Sequence, residues 1–214
     1  MHDKATTTVD INDSFSRIYD TFEVNIHKSV IYLDFSGKHM KTELNDTFKQ
    51  LLTEYNLPHD LSFSVDLPTE VQTILSDQIL TTELGITLKS FNRLYKATET
   101  WDNQSYIEDN ENHFHVDWYI DPPDNKKAFM LAVKTLTLLA NKFQRDNIKG
   151  VRFFLSFQTP ELGLQMAKEN NLHEDGDDYY ISDRLSFHTR REGEEVITIN
   201  QYDKSFCAIL IIDI

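Results

Sequence analysis

Residues 128–143 constrain the fold more than any other stretch of this chain. Phe129, Leu131, Ala132, Leu136, Leu138 and Leu139 are spread so evenly around a helical turn that the helix must be covered on more than one side. Asp124, after Pro122-Pro123, stands where a capping carboxylate is wanted. This is the expected central helix, and the flanking sequence offers strands to pack against it. Phe114, Val116, Trp118 and Ile120 alternate with polar residues from His113 to Asp121, the two-residue period of a strand with one wet face. Val151–Phe157 follows the punctuating Gly150 as a second strand. Thr159-Pro160 then opens a helix, with Thr as cap and Pro in the first turn, that closes at Asn170-Asn171. Tyr179 to Arg190, Val196 to Tyr202 and Phe206 to Ile212 read as three closing strands joined by short turns.

The first half is less regular. Residues 1–14 are polar and threonine-rich and read as a loose arm. Val24 to Phe35 is rich in β-branched and aromatic residues and ends at Ser36-Gly37, the first core strand. Met40, Leu44, Phe48, Leu51 and Tyr55 recur at helical spacing, which predicts a helix over about 39–55. Leu61, Phe63 and Val65 alternate as a short strand. Two apolar stripes follow, Val71 to Ile79 and Leu84 to Trp101, and predict two helices or one broken at Gly85. Residues 101–112 lack periodicity and read as a long loop, where a division into two lobes would fall. The whole predicts an α+β fold over residues 15–214: a mixed sheet with helices on one face, closed by a C-terminal antiparallel meander.

Charge narrows the function classes. Thirty-five Asp and Glu against 21 Lys and Arg leave a net charge of −14. Such an excess repels phosphate backbones and anionic lipid, so neither nucleic acid nor membrane is an expected direct partner. The longest apolar runs fall short of the roughly 20 residues a membrane span needs. With no secretory leader pattern and a single cysteine, Cys207, in an apolar run, the expectation is a cytoplasmic protein with no disulfide.

The acids are not evenly placed. From Glu99 to Asp124 there is no Lys or Arg, and eight Asp and Glu occur. Set among Trp101 and Tyr106, residue types that anchor interfaces, they suggest a docking face for a basic protein made of Glu99, Trp101, Asp102, Tyr106, Glu108, Asp109 and Glu111. An acidic binding protein of the immunity, inhibitor or adaptor kind, with no cofactor, is the leading expectation.

The alternative is metal chemistry. In His113-Phe114-His115-Val116-Asp117 a strand would turn both imidazoles and the carboxylate to one side, a donor set that zinc accepts. His188, on the polar side of a second predicted strand, would be a fourth ligand, and the product a metal-dependent hydrolase. The spelling resembles the opening of the metallo-β-lactamase-fold motif, His-x-His-x-Asp-His, although Trp118 stands where that motif has its next histidine. The order strand, helix 124–146, strand 151–157, helix 160–170, strand also resembles the acyl-CoA-binding half of GNAT acetyltransferases. Asp121-Pro122-Pro123-Asp124 replaces the phosphate-binding loop of those enzymes, so this resemblance implies a catalytically degenerate domain.

Overall fold

The computed structural model describes residues 30–35, 38–91, 103–174, 176–194, 198–202 and 205–214. The chain runs β1 (Val30–Phe35), β2 (Lys38–Leu44), α1 (Asp46–Glu54), α2 (Thr69–Ser76), β3 (Ile79–Thr82), β4 (Gly85–Leu88), α3 (Gln104–Glu111), a 3-10 turn (Asp117–Tyr119), α4 (Asn125–Arg145), β5 (Val151–Gln158), α5 (Pro160–Glu169), β6 (Ser182–Thr189), a second 3-10 turn (Ile199–Tyr202) and β7 (Ala208–Asp213). The arm expected over 1–14 lies outside the described residues.

The α+β class is as expected. β1 to β7, without β3 and β4, form a five-stranded sheet in the order β1-β2-β7-β5-β6, and β3 and β4 form a separate hairpin. Every pairing in the larger sheet is antiparallel, and β5 lies between the closing strands β6 and β7. β7 is buried along its whole length because it is central and covered on both faces.

α4 occupies the place its sequence demands. The Asp124 side chain accepts from Lys127 N and caps it, and Lys142 and Arg145 fall in its last turn, where the helix dipole favours positive charge. Its Phe129 and Phe143 rings pack on Phe157, Phe153 and Phe187 of the sheet. α1 adds Phe48 against Phe129. One hydrophobic cluster runs from Met40 through α4 to Ile212. The opposite sheet face is different in kind. A small apolar group of Phe154, Ile209 and Ile211 packs with Ile199, Tyr202 and Cys207. On the same face stand Arg152 of β5, Asp213 of β7 and, on the neighbouring β6, Arg184, Ser186 and His188.

Several elements differ from the sequence expectation. The predicted helix over 39–55 begins only at Asn45, whose side chain caps α1 by accepting from Phe48 N and also binds the Ile209 amide, while Met40 and Leu44 belong to β2. The strand expected over Leu61 to Val65 does not form: Leu61 takes a backbone φ of +60°, and Phe63 N donates back to the Leu61 carbonyl at 3.1 Å. Leu84 to Leu88 turns into a hairpin, because Gly85 takes a backbone φ of +137° that a helix cannot hold. The loop expected at 101–112 contains α3. The last 3-10 turn stands where the end of the strand Val196 to Tyr202 was expected; 195–197 lie outside the described residues.

Candidate functional site

The segment after α3 starts as the sequence suggests and then departs from it. Phe114 makes a single antiparallel bridge to Leu185 on the outer edge of β6, its amide donating at 2.9 Å and its carbonyl accepting at 3.0 Å. No ladder continues beyond it. Asp183, buried at the start of β6, accepts from Val116 N at 3.0 Å and from Asp117 N at 2.9 Å. One carboxylate that gathers two successive amides bends the chain off the sheet and into the 3-10 turn at Asp117–Tyr119, so the expected strand over 113–121 does not form. The same bend sets His115 and Asp117 beside Asp183.

These three residues form the candidate site. One ligand atom from each of His115, Asp117 and Asp183 lies within 4.8 Å of the others. Among the described residues no other group of three His, Cys, Asp or Glu side chains converges so closely. His115 Nδ1 stands 3.5 Å from Asp183 Oδ1, at the outer limit of a hydrogen bond. His115 Nδ1 and Asp117 Oδ1 are both shut off from solvent with no hydrogen-bond partner. Buried polar atoms left in that state are costly and uncommon.

The charges respond to this confinement. Burial, reinforced by the neighbouring Asp183 carboxylate, pushes Asp117 up to about 6. Contact with Asp183, and its charge, outweigh burial at His115 and raise that imidazole above the ordinary histidine value. Two carboxylates and an imidazole held this closely are a donor set that a divalent cation of the zinc or manganese type accepts; it would relieve the like-charge contact and displace the imidazole proton. Trp118, next in the chain, stacks on the His115 ring with centroids 4.9 Å apart and planes 18° apart, yet is 74% exposed.

The other predicted ligands fall elsewhere. His113 is exposed, its Nδ1 against the Asn110 carbonyl, with its ring edge-on to His115 at 5.8 Å and outside the donor group. His188 corrects a second expectation. Positions 183 and 188 have opposite parity on β6 and so face opposite ways. His188 is 2% exposed and pairs with Asp109 at 3.4 Å, not with His115. Asp183 takes the place that sequence reasoning gave to His188. A signal for it existed: Asp183 shares its parity with Leu185 and Phe187, which makes it a carboxylate on an apolar strand face.

The proposed acidic docking face also needs correction. Glu99, Trp101 and Asp102 lie outside the described residues. Tyr106 is exposed and Glu111 half-buried. Glu108 and Asp109, however, are 3% and 1% exposed and point inward. Glu108 pairs with Arg191 at 2.8 Å and Asp109 with Arg184 at 2.7 Å, so their charge is spent inside the protein. The strand that the acetyltransferase resemblance places before Pro122-Pro123 is the unformed one at 113–121.

Among the described residues no helix is long and apolar enough to cross a membrane. A family model described as the uncharacterized protein PM0498 family matches residues 43–214, most of the chain, starting within β2. No curated protein and no solved structure matches.

Proposed function

We propose, for a chain that belongs to the PM0498 family and takes no activity from that description, that it binds a divalent cation through His115, Asp117 and Asp183 and uses it in hydrolysis of a small substrate. The observation that supports this reading is the convergence of three donor atoms within 4.8 Å, with one buried polar atom each on His115 and Asp117 that makes no hydrogen bond. A bound cation of this type supplies an activated water and charge stabilisation at the reacting bond. The chain supplies the rest. Asp183 is oriented by the Val116 and Asp117 amides, so one carboxylate arrives fixed. Trp118 holds the plane of the His115 ring and leaves its other face to solvent, beside the donors. A polyanionic substrate is disfavoured by the net charge of −14. The acidic docking reading is the weaker one, since Glu108 and Asp109 are committed to internal arginines.

The test is metal content of protein purified without a His-tag, with melts in zinc, manganese or EDTA. The expected result is near-stoichiometric metal and an upward melting shift that His115→Ala removes. A metal-free protein whose melts ignore zinc, manganese and EDTA would retire the reading. Where metal binds, a screen of esters, amides and small phosphoesters follows.

A further inference from the structure

A surface helix normally seats itself by an apolar stripe. α3 does the reverse. No residue of α3 belongs to the hydrophobic core, and the positions it buries are Ser105, Glu108 and Asp109, continued by Asn112 at its end. These four have the i, i+3, i+4, i+7 spacing of a helix face. What seats the helix is therefore polar throughout. Ser105 donates from its amide and its hydroxyl to Glu194, both at 2.8 Å. Glu108 accepts from Ile86 N and Thr189 Oγ1 at 2.8 Å and pairs with Arg191. Asp109 accepts from Ser186 Oγ at 2.6 Å and pairs with Arg184 and His188. The Asn112 amide donates to the Ile86 and Phe187 carbonyls at 2.7 and 3.1 Å.

Buried ion pairs add little net stability, because desolvation offsets most of their attraction. A helix seated by such pairs gains less from its seat than one packed by an apolar face would. Two covalent routes lead from that seat to the donor site. Along the chain, Asn112 is followed by His113, whose Nδ1 rests on the Asn110 carbonyl of α3 and whose ring abuts His115. Across the sheet, Asp183 directly precedes Arg184, which donates to both Asp109 and Asn110 of α3. His115 and Asp183 are thus each placed by a neighbour that α3 grips.

We infer that cation binding at His115, Asp117 and Asp183 is coupled to the seating of α3 on β6, so that the site is complete when the helix is docked and the cation in turn holds the helix down. The inference rests on the cation reading above. Coupling of this kind is reciprocal: the factor by which docking strengthens cation binding is the factor by which the cation favours docking, commonly five-fold or more. Asp109 and Arg184 are positioning residues here; neither offers an atom to the cation.

The experiment uses the full chain with manganese or zinc chloride. Amide exchange across residues 104–112 is followed by mass spectrometry with and without metal, and cation affinity is titrated in the wild type and in Asp109→Asn, well below the melting temperature of either. The expected results are slower exchange of α3 with metal, by roughly five-fold or more, and a similar loss of affinity in Asp109→Asn. A merely structural role would lower the melt of the variant without moving its affinity. Metal that binds while α3 exchange stays unchanged would overturn the coupling and leave the cation site standing. Failure of the wild type to bind either metal would overturn both. The exchange measurement needs no variant, so an Asp109→Asn protein that does not fold leaves the inference open to refutation.

Discussion

Replacing Asp117 by Asn should stabilise the metal-free protein and disable it toward metal. In the folded state the Asp117 carboxyl is pushed from 3.8 to about 6, by burial first and then by Asp183. A folded-state pKa above the unfolded one means that the native protein holds this proton more tightly than the unfolded chain does. That contribution to stability is fully present below about pH 4 and is lost as the pH rises through about 6. At neutral pH the wild type therefore carries the whole penalty of the ionised carboxyl. At 1.36 kcal/mol per unit the ceiling is about 3 kcal/mol; Asp117 is only partly buried, and solvent screening brings the expected gain to ~1 kcal/mol. In a chain of this size that is roughly 2–4 °C in melting temperature. Melts in EDTA at about pH 7.5 and about pH 4 make the assay. Asp117→Asn should melt higher than wild type at the first and level with it at the second, since the wild-type carboxyl is then protonated as well. Added zinc should reverse the order at the higher pH by raising only the wild type. A variant that melts at or below wild type in EDTA at neutral pH, or whose advantage is the same at both pH values, would refute the account of two crowded carboxylates.

Two further substitutions probe the frame around the site. Gly85→Ala should destabilise by at least ~2 kcal/mol in urea, because φ is +137° and an added Cβ would stand 2.3 Å from Glu108 Oε2; a midpoint equal to wild type would mean that the β3-β4 turn is not held as described. Phe153→Ala, in a residue with no exposed surface and rings of Phe143 and Phe187 at 5.1 and 5.8 Å, should cost roughly 3–5 kcal/mol, and a loss under about 1 kcal/mol would show that the face between α4 and the sheet is loosely packed.

The legible parts of the fold are those in which apolar burial has one period and a clear stop. α4 and α5 could be placed from their caps, Asp124 and Thr159, β5 from the dense apolar residues between Val151 and Phe157, and β7 from its unbroken apolar run. The misplaced helix start at 39 has a specific cause. Met40 and Leu44 are four apart, a spacing that puts two side chains on one face of a helix and equally on one face of a strand. The residue that separates the two is Thr42, buried between them, a polar side chain in a strand-face position. At Leu84 to Leu88 the leucines alone suggested a helix, and Gly85, with its positive φ, carried the opposite information.

The site was half legible for a related reason. Hydrophobic periodicity detects a helix only where the buried side chains are apolar, so α3, whose buried face is Ser105, Glu108, Asp109 and Asn112, had no period to find. Its acids looked like an unbalanced surface because no Lys or Arg lies near them in the chain; the balancing Arg184 is 75 residues away. Charge summed along a segment is thus a poor measure of charge on a face. His115 and Asp117 were found because their two-residue spacing survives in a bend as well as in a strand. Asp183 was missed because its partners are backbone amides of another segment, and no side-chain pattern records a carboxylate that folds the chain around itself. The same carboxylate that turns the chain also completes the donor set, which makes Asp183→Asn the harshest substitution for fold and cation together and Asp117→Asn the one that separates them.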